Sequence, residues 1–377
     1  MRVTLSDSSL ARYARRFVWL DLNFDGPENR AFLARHGAPG TPTFYVLDPS
    51  DERAVATQIG AMTLPELTGF LDRGERAFLA RGKTPPEAAL ARGDALLALD
   101  RPAEAAAVYA EAIRLGGKTW SERDRAAAAR SWALMSSNQW LACAQTAAAY
   151  APETARTATF GRLVLAGMWC VNQQASAPWA MAAARTLEPL AAEAISLPST
   201  VRDHRFQLYQ NLMLIAEARG DAPAIKRWGG RWLHELDTTQ PHSDDERAAL
   251  DIARVDAASV LRDPSRVLPA LIESERAMPN DYNSSLRLAQ MENEAGHFDE
   301  ALAACDRGLA HVTGPRGRAW LLETKAEALI RKGKGREARD VLAEAMESAR
   351  AIPVAQAREH NVKKISAAVK EAEKEGK

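Results

Sequence analysis

Cysteine is scarce in this chain: 377 residues carry three, Cys143, Cys170 and Cys305, and none precedes Cys143. Spaced so widely, they form no metal-ligand pattern. Each falls inside an apolar helical pattern, where a free cysteine commonly serves as a small buried hydrophobe. Cys143 and Cys170 lie on neighbouring predicted helical hairpins, so a disulfide is conceivable, although nothing in the sequence supports it. Net charge is missing too. Lys plus Arg equals Asp plus Glu at 49 each, which gives nucleic acid no electrostatic footprint. No apolar run is long enough to span a bilayer; the longest candidate, Phe160 to Val171, is short and interrupted by Arg162. The seven histidines offer no pair at metal spacing on one helix, and no Gly-x-Ser-x-Gly occurs. The expectation is therefore no catalytic residue, no metal, no cofactor, no nucleic acid and no membrane span. A charged-then-apolar signal pattern is also lacking. Read literally that means cytoplasmic, whereas an upstream segment missing from this start would allow an exported, periplasmic protein.

What is present is ordinary in bulk, with 46% hydrophobic and 26% charged residues, and its length is that of two or three domains. The abundance of alanine and arginine suggests a GC-rich bacterial coding sequence. Order along the chain is more informative. Leu10 to Arg16 reads as helix, Phe17 to Leu22 as an apolar strand, Pro27 to His36 as helix, and Thr43 to Leu47 as a second strand after Gly40-Thr41-Pro42. Asp48-Pro49-Ser50-Asp51 reads as a hairpin turn, Arg53 to Ile59 as its partner strand, and Gly60 as a bulge or strand end. Thr63-Leu-Pro-Glu66 opens a capped helix that includes Leu71.

That order resembles the second half of a thioredoxin fold, over about Met1 to Ala80. The resemblance implies a cis Pro42 and a Thr41 whose backbone pairs with an extended substrate chain, so Thr41 and Pro42 are the binding residues it nominates. It also implies a central strand and a Cys-x-x-Cys ahead of Phe17, for which residues 1–16 leave no room. Two explanations stay open: an internal methionine taken as the start, or a degenerate domain kept for binding or packing. In either case Phe17–Leu22 and Thr43–Leu47 should lack the full complement of ladder partners, because the central neighbour is missing.

From about Lys83 the strand signals stop, with Thr84-Pro-Pro86 as the boundary, and paired helices begin. Repetition shows in three places: Glu87 to Ile113, Ser285 to Leu309 and Ala319 to Met346. In each, small residues fall where two helices of a hairpin must approach: Gly93 with Ala105 and Ala112, Ala289 with Ala301 and Gly308, Ala326 with Ala338 and Ala345. A larger residue, Tyr109, Cys305 or Leu342, fills the slot between them. These segments resemble tetratricopeptide repeats, whose period is about 34 residues. Weaker hairpins fit Ser121–Ala151, Glu153–Ile195, Ser199–Leu236 and Ser243–Met278, with turns at Ser136-Ser-Asn138, Arg219-Gly-Asp221 and Arg262-Asp-Pro264.

Two glycine clusters imitate phosphate loops. Gly116-Gly-Lys-Thr119 follows a helix, with Ala112 where the first glycine belongs, and Gly333-Lys-Gly335 has no strand before it; both read as turns. The basic cluster Arg331 to Arg336 reads as a solvated turn. The tryptophans, at helical spacing, read mostly as packing residues, with two or three left in a groove where Trp and Arg can anchor a partner.

The expected fold is mostly α: a right-handed helical-hairpin, tetratricopeptide-like solenoid over residues 83–352, preceded by a partial α/β thioredoxin-like domain at 1–82 and closed by a helix at 353–377. The expected function is protein interaction, with a peptide or protein partner on the concave face of the repeats. The alternative is a thiol-disulfide oxidoreductase whose Cys-x-x-Cys lies upstream of this start and whose repeats select clients. As written, the chain has no low-pKa thiolate near Pro42 for such chemistry.

Overall fold

Asp48 builds the turn of a β-hairpin. Its carboxylate accepts from Ser50 N at 2.9 Å and Ser50 Oγ at 2.6 Å, and its carbonyl accepts from Glu52 N at 2.8 Å. The turn joins β1 (Thr43–Leu47) to β2 (Ala54–Ile59), antiparallel with Phe44 opposite Gln58 and Tyr45 opposite Thr57. Gly60 N donates to Pro42 O at 2.8 Å, carrying the ladder one step further. This computed structural model describes Leu5 and residues 7–22, 27–37, 42–60, 62–80, 84–352 and 355–375, and it divides into two units, Met1–Asp221 and Ala222–Lys377.

In the first unit, 3-10 turns at Ser8–Tyr13 and Pro27–Asn29 precede α1 (Arg30–His36). Helix α2 (Leu64–Ala80) starts on a reciprocal cap: Thr63 N donates to Glu66 Oε2 at 2.9 Å and Glu66 N to Thr63 Oγ1 at 3.4 Å. Leu10, Tyr13, Val46, Val55, Leu67 and Phe70 pack into one core, and Tyr13 Oη donates to Asp72 Oδ1 at 2.8 Å.

The expected strand at Phe17–Leu22 is not there. These residues have no regular structure, and Val18 and Leu20 are 89% and 73% exposed. An extended segment becomes a strand only when a neighbour takes up its backbone groups, and among the described residues β1 and β2 form a sheet of two strands alone. Leu10 to Arg16 winds as a 3-10 turn instead of an α-helix. Thr41 lies outside the described residues.

Helical hairpins follow: α3 (Pro85–Ala98) with α4 (Pro102–Gly116), α5 (Arg123–Ser136) with α6 (Trp140–Tyr150), α7 (Ala158–Asn172) with α8 (Pro178–Ser196), and then α9 (Arg202–Ala218). Proline in the first turn of α3, α4 and α8 pre-sets the helical φ where no N–H partner is lost. The second unit holds α10 (Ala222–Thr238), α11 (Asp244–Leu261) with α12 (Leu268–Ala277), α13 (Tyr282–Ala295) with α14 (Phe298–His311), α15 (Pro315–Arg331) with α16 (Gly335–Arg350), and α17 (Ala355–Glu375). No described helix is long and apolar enough to cross a membrane.

The small–large–small spacing has the mechanical role its positions imply. Ala105, Ala112, Ala289, Ala301, Ala326, Ala338 and Ala345 have no exposed surface, and Tyr109, Cys305 and Leu342 are buried between them. A Cβ on Gly93 would come 2.7 Å from the Tyr109 ring, and one on Gly308 would come 2.6 Å from Leu321 Cδ2. Both glycine clusters are helix ends: Gly116 closes α4, and Gly333 lies in the turn between α15 and α16.

The cysteines correct the sequence expectation. Cys143 on α6 and Cys170 on α7 form a disulfide across adjacent helices, 27 residues apart and fully buried. Their helices pack side by side, with Cα atoms 6.2 Å apart, a proximity that residue spacing alone does not encode. Cys305 is the free, buried thiol, pushed up to about 12 by burial foremost.

Candidate functional site

In the second unit, the first helix of each hairpin turns the same side toward a cavity of about 800 Å³. On α13 that side carries Asn283, Leu286, Arg287 and Gln290, on α15 it carries Arg316, Trp320 and Glu323, and on α17 it carries Ala357, His360, Asn361 and Lys364. The spacing of three, four and seven residues marks one face of a helix. Opposite faces of the same helices are buried through Leu288, Ala289 and Met291 on α13 and Leu322, Ala326 and Leu329 on α15. The apolar stripe that packs the hairpins therefore dictates which polar residues are left on the cavity side. Helix α11 adds Ile252, half exposed, with Val255 and Asp256.

Hydrogen bonds fix the walls. Trp320 Nε1 donates to Asn361 Oδ1 at 2.7 Å, and Asn361 Nδ2 donates to Ala357 O at 2.7 Å, so the indole and the last helix are locked together. The Arg316 guanidinium sits 4.6 Å over the Trp320 ring, a cation–π contact that holds it at the rim. Lys364 Nζ pairs with Glu323 Oε2 at 3.1 Å. Arg287 Nη1 is buried and makes no hydrogen bond within the chain. Below it, Asp251 is fully buried, accepting from Arg254 Nη1 at 2.8 Å and Ser274 Oγ at 3.1 Å. Burial pushes the carboxyls of Asp251 and Asp256 up, and the Arg254 and Arg287 charges pull back on Asp251.

The arrangement brings together an indole with a stacked guanidinium, an arginine with one unpaired donor, and side-chain amides from two helices. Such donors suit backbone carbonyls and carboxylates of an extended chain. Among the described residues no group of three or more His, Cys, Asp or Glu could hold a metal ion.

The residues nominated from sequence belong to the first unit. Thr41 is undescribed, and Pro42 is spent on β2 through the carbonyl that accepts from Gly60. Of the tryptophans, Trp232 is buried, Trp140 and Trp169 meet edge to face at 5.3 Å, Trp228 lies between Arg227 and Arg231, and Trp320 lines the cavity. Sequence reasoning missed Arg287, Asn361 and Arg316. The available signal was their spacing on the side of each helix opposite its small buried residues.

No family model and no curated protein matches this chain. Among solved structures, it is similar to a tetratricopeptide repeat protein from Parabacteroides merdae, with 8% identity over 76% of this chain and 98% of that one and a TM-score of 0.47. The assembly chaperone of RpL4, Acl4, gives 13% identity over 77% and 99% at a TM-score of 0.35. The TPR2AB domain of yeast Sti1, in its complex with pHSP90, gives 14% over 76% and 98% at 0.30.

Proposed function

We propose that this chain is a tetratricopeptide-type interaction scaffold whose second unit takes an extended segment of a protein partner. One observation carries the reading: the open cavity of about 800 Å³ is lined by the same face of three successive first helices and of the closing helix α17, and holds the Arg316–Trp320 stack and the unpaired Nη1 of Arg287. Stacked hairpins present such faces as extended binding surfaces, and Trp and Arg supply a large share of binding energy where they are packed and desolvated. In this reading residues 1–82 are a partial thioredoxin-like unit, 83–352 the repeats, and 353–377 the closing helix. Thr41 and Pro42 remain a second candidate contact, by strand addition. No cysteine precedes Cys143, so dithiol chemistry forms no part of the reading. The buried Cys143–Cys170 disulfide favours an oxidising compartment over a reducing cytoplasm.

The test is selection of a displayed random-peptide library on the full chain, followed by affinity measurement. Selected peptides should bind the Trp320→Ala and Arg287→Ala chains at least about tenfold more weakly, the loss of one well-packed anchor. Peptides that bind both variants as tightly as the natural chain would remove the cavity as the site.

A further inference from the structure

The first unit has the counterpart of this face, and it is not open. On α5, Arg125, Ala128 and Trp132 recur at helical spacing, Arg162 follows on α7, and Asp94 follows Gly93 on α3 as Gln290 follows Ala289 on α13. Strand β2 lies against α3, leaving a cavity of about 50 Å³ lined also by Thr57, Gln58 and Ile59, and α2 reaches the same helices through the Glu66–Arg162 and Arg73–Glu122 pairs.

We propose that this face is a binding site for an extended strand followed by an acid-bearing helix, and that residues 42–80 of this chain are its resident occupant, docked by ion pairs and able to leave while α3–α9 stay folded.

Three observations carry this. The contact is polar at its centre. Arg125 Nη2 reaches Thr57 O at 3.3 Å and Asp94 Oδ2 at 2.7 Å, and Tyr109 Oη holds the other oxygen of Asp94 at 2.8 Å. Arg162 Nη2 pairs with Glu66 Oε1 at 3.1 Å, both side chains 15% exposed, and Arg73 Nε meets Glu122 Oε2 at 3.6 Å. Arg125 thus reads a main-chain carbonyl of a strand, and Arg162 reads a carboxylate in the first turn of a helix. Second, the segment's core is completed by the chain before it, through Leu10 and Tyr13, and not by the repeats. The cluster of Leu10, Tyr13, Val46, Val55, Leu67 and Phe70, with Ala77 against it, draws no residue from α3–α9. Third, the contact is imperfectly satisfied: Thr57 Oγ1 and Arg125 Nε are buried without hydrogen-bond partners. Unpaired buried groups cost free energy that a core would not tolerate in number, and a polar interface of this kind is typical of bodies that move apart. Burial also pulls Arg73 down to about 10 and lowers Arg162, so both cations are held in place at a cost.

Hydrogen exchange read by mass spectrometry on the full chain tests this, independently of any peptide partner. In the Arg73→Gln, Arg162→Gln double variant, amides of residues 54–80 should exchange about tenfold faster or more, while those of α5–α8 change by less than about twofold. Unchanged exchange over 54–80, or equal acceleration over α5–α8, would overturn the proposal. If the double variant does not fold, a salt series on the natural chain decides. Raising salt from about 0.05 M to about 1 M screens the ion pairs and should accelerate residues 54–80 alone; a uniform response, or none, overturns it.

Discussion

The two units present the same helical face in two states. In the first, the chain's own hairpin and helix cover it, leaving about 50 Å³; in the second, about 800 Å³ stays open. On the covered face Arg125 and Arg162 are paired to Asp94, Thr57 O and Glu66. The volume left free separates the two faces, for a buried donor without a partner occurs on both, Arg287 Nη1 on the open one and Arg125 Nε on the covered one.

The units also differ beneath the face, and the largest effect should show there. The first is stapled by Cys143–Cys170, while the second carries the lone thiol Cys305. Replacing Cys143 and Cys170 by alanine should cost the first unit about 3–4 kcal/mol, the chain-entropy value for a loop of this length, and leave the second unit's unfolding in place. Denaturant unfolding followed by hydrogen exchange separates the two; an equal loss in both units would mean that they unfold together.

Acid should break the comparison in the same direction. His204 on α9 is held neutral, its pKa pushed down to about 3 by burial foremost and then by the Arg162 charge. The unfolded chain takes up a proton near the ordinary histidine value, so this stability is complete above about pH 6.5 and is lost as pH falls toward 3. At pH 5 the first unit should be weaker by about 2 kcal/mol than at pH 7, and His204→Gln should flatten that slope. A slope unaltered in the variant would place the titrating group elsewhere.

Packing gives a smaller contrast. Gly93→Ala drives a Cβ into the rigid Tyr109 ring and should cost about 1–3 kcal/mol. Gly308→Ala meets a leucine methyl that can turn aside, and should cost the second unit about 1 kcal/mol or less. Thermal shifts of the two variants measure this, and a larger loss for Gly308→Ala would invert the account of the two hairpins. The smallest effect concerns reactivity alone: Cys305, buried and pushed up to about 12, should resist alkylation at about pH 8 until the second unit is unfolded, as a mass count of modified thiols would show.

Much of this was legible in the chain. The small–large–small triads placed the tightest helix pairs because close approach needs missing side chains, and that need is written in residue type. The turns at Asn138 and Gly220 were legible for a local reason too, since asparagine and glycine tolerate the positive φ each adopts, and the turn at Arg262 was legible from the Asp263-Pro264 that follows it. Phe17–Leu22 was misread because a strand depends on a neighbour, and an apolar run carries no information about whether one exists. The disulfide escaped because pairing depends on which helices become adjacent. The open face escaped because Arg287 and Asn361 look like surface residues until the packing stripe behind them fixes their direction.

The central claim is that the chain binds through the second unit's face while filling the first unit's face itself. Hydrogen exchange of the natural chain with and without a saturating library-selected peptide tests it most directly. Protection should rise on α13, α15 and α17 and stay unchanged on α5 and α7. Protection falling on α5 and α7 instead, with α13 and α15 unaffected, would contradict it.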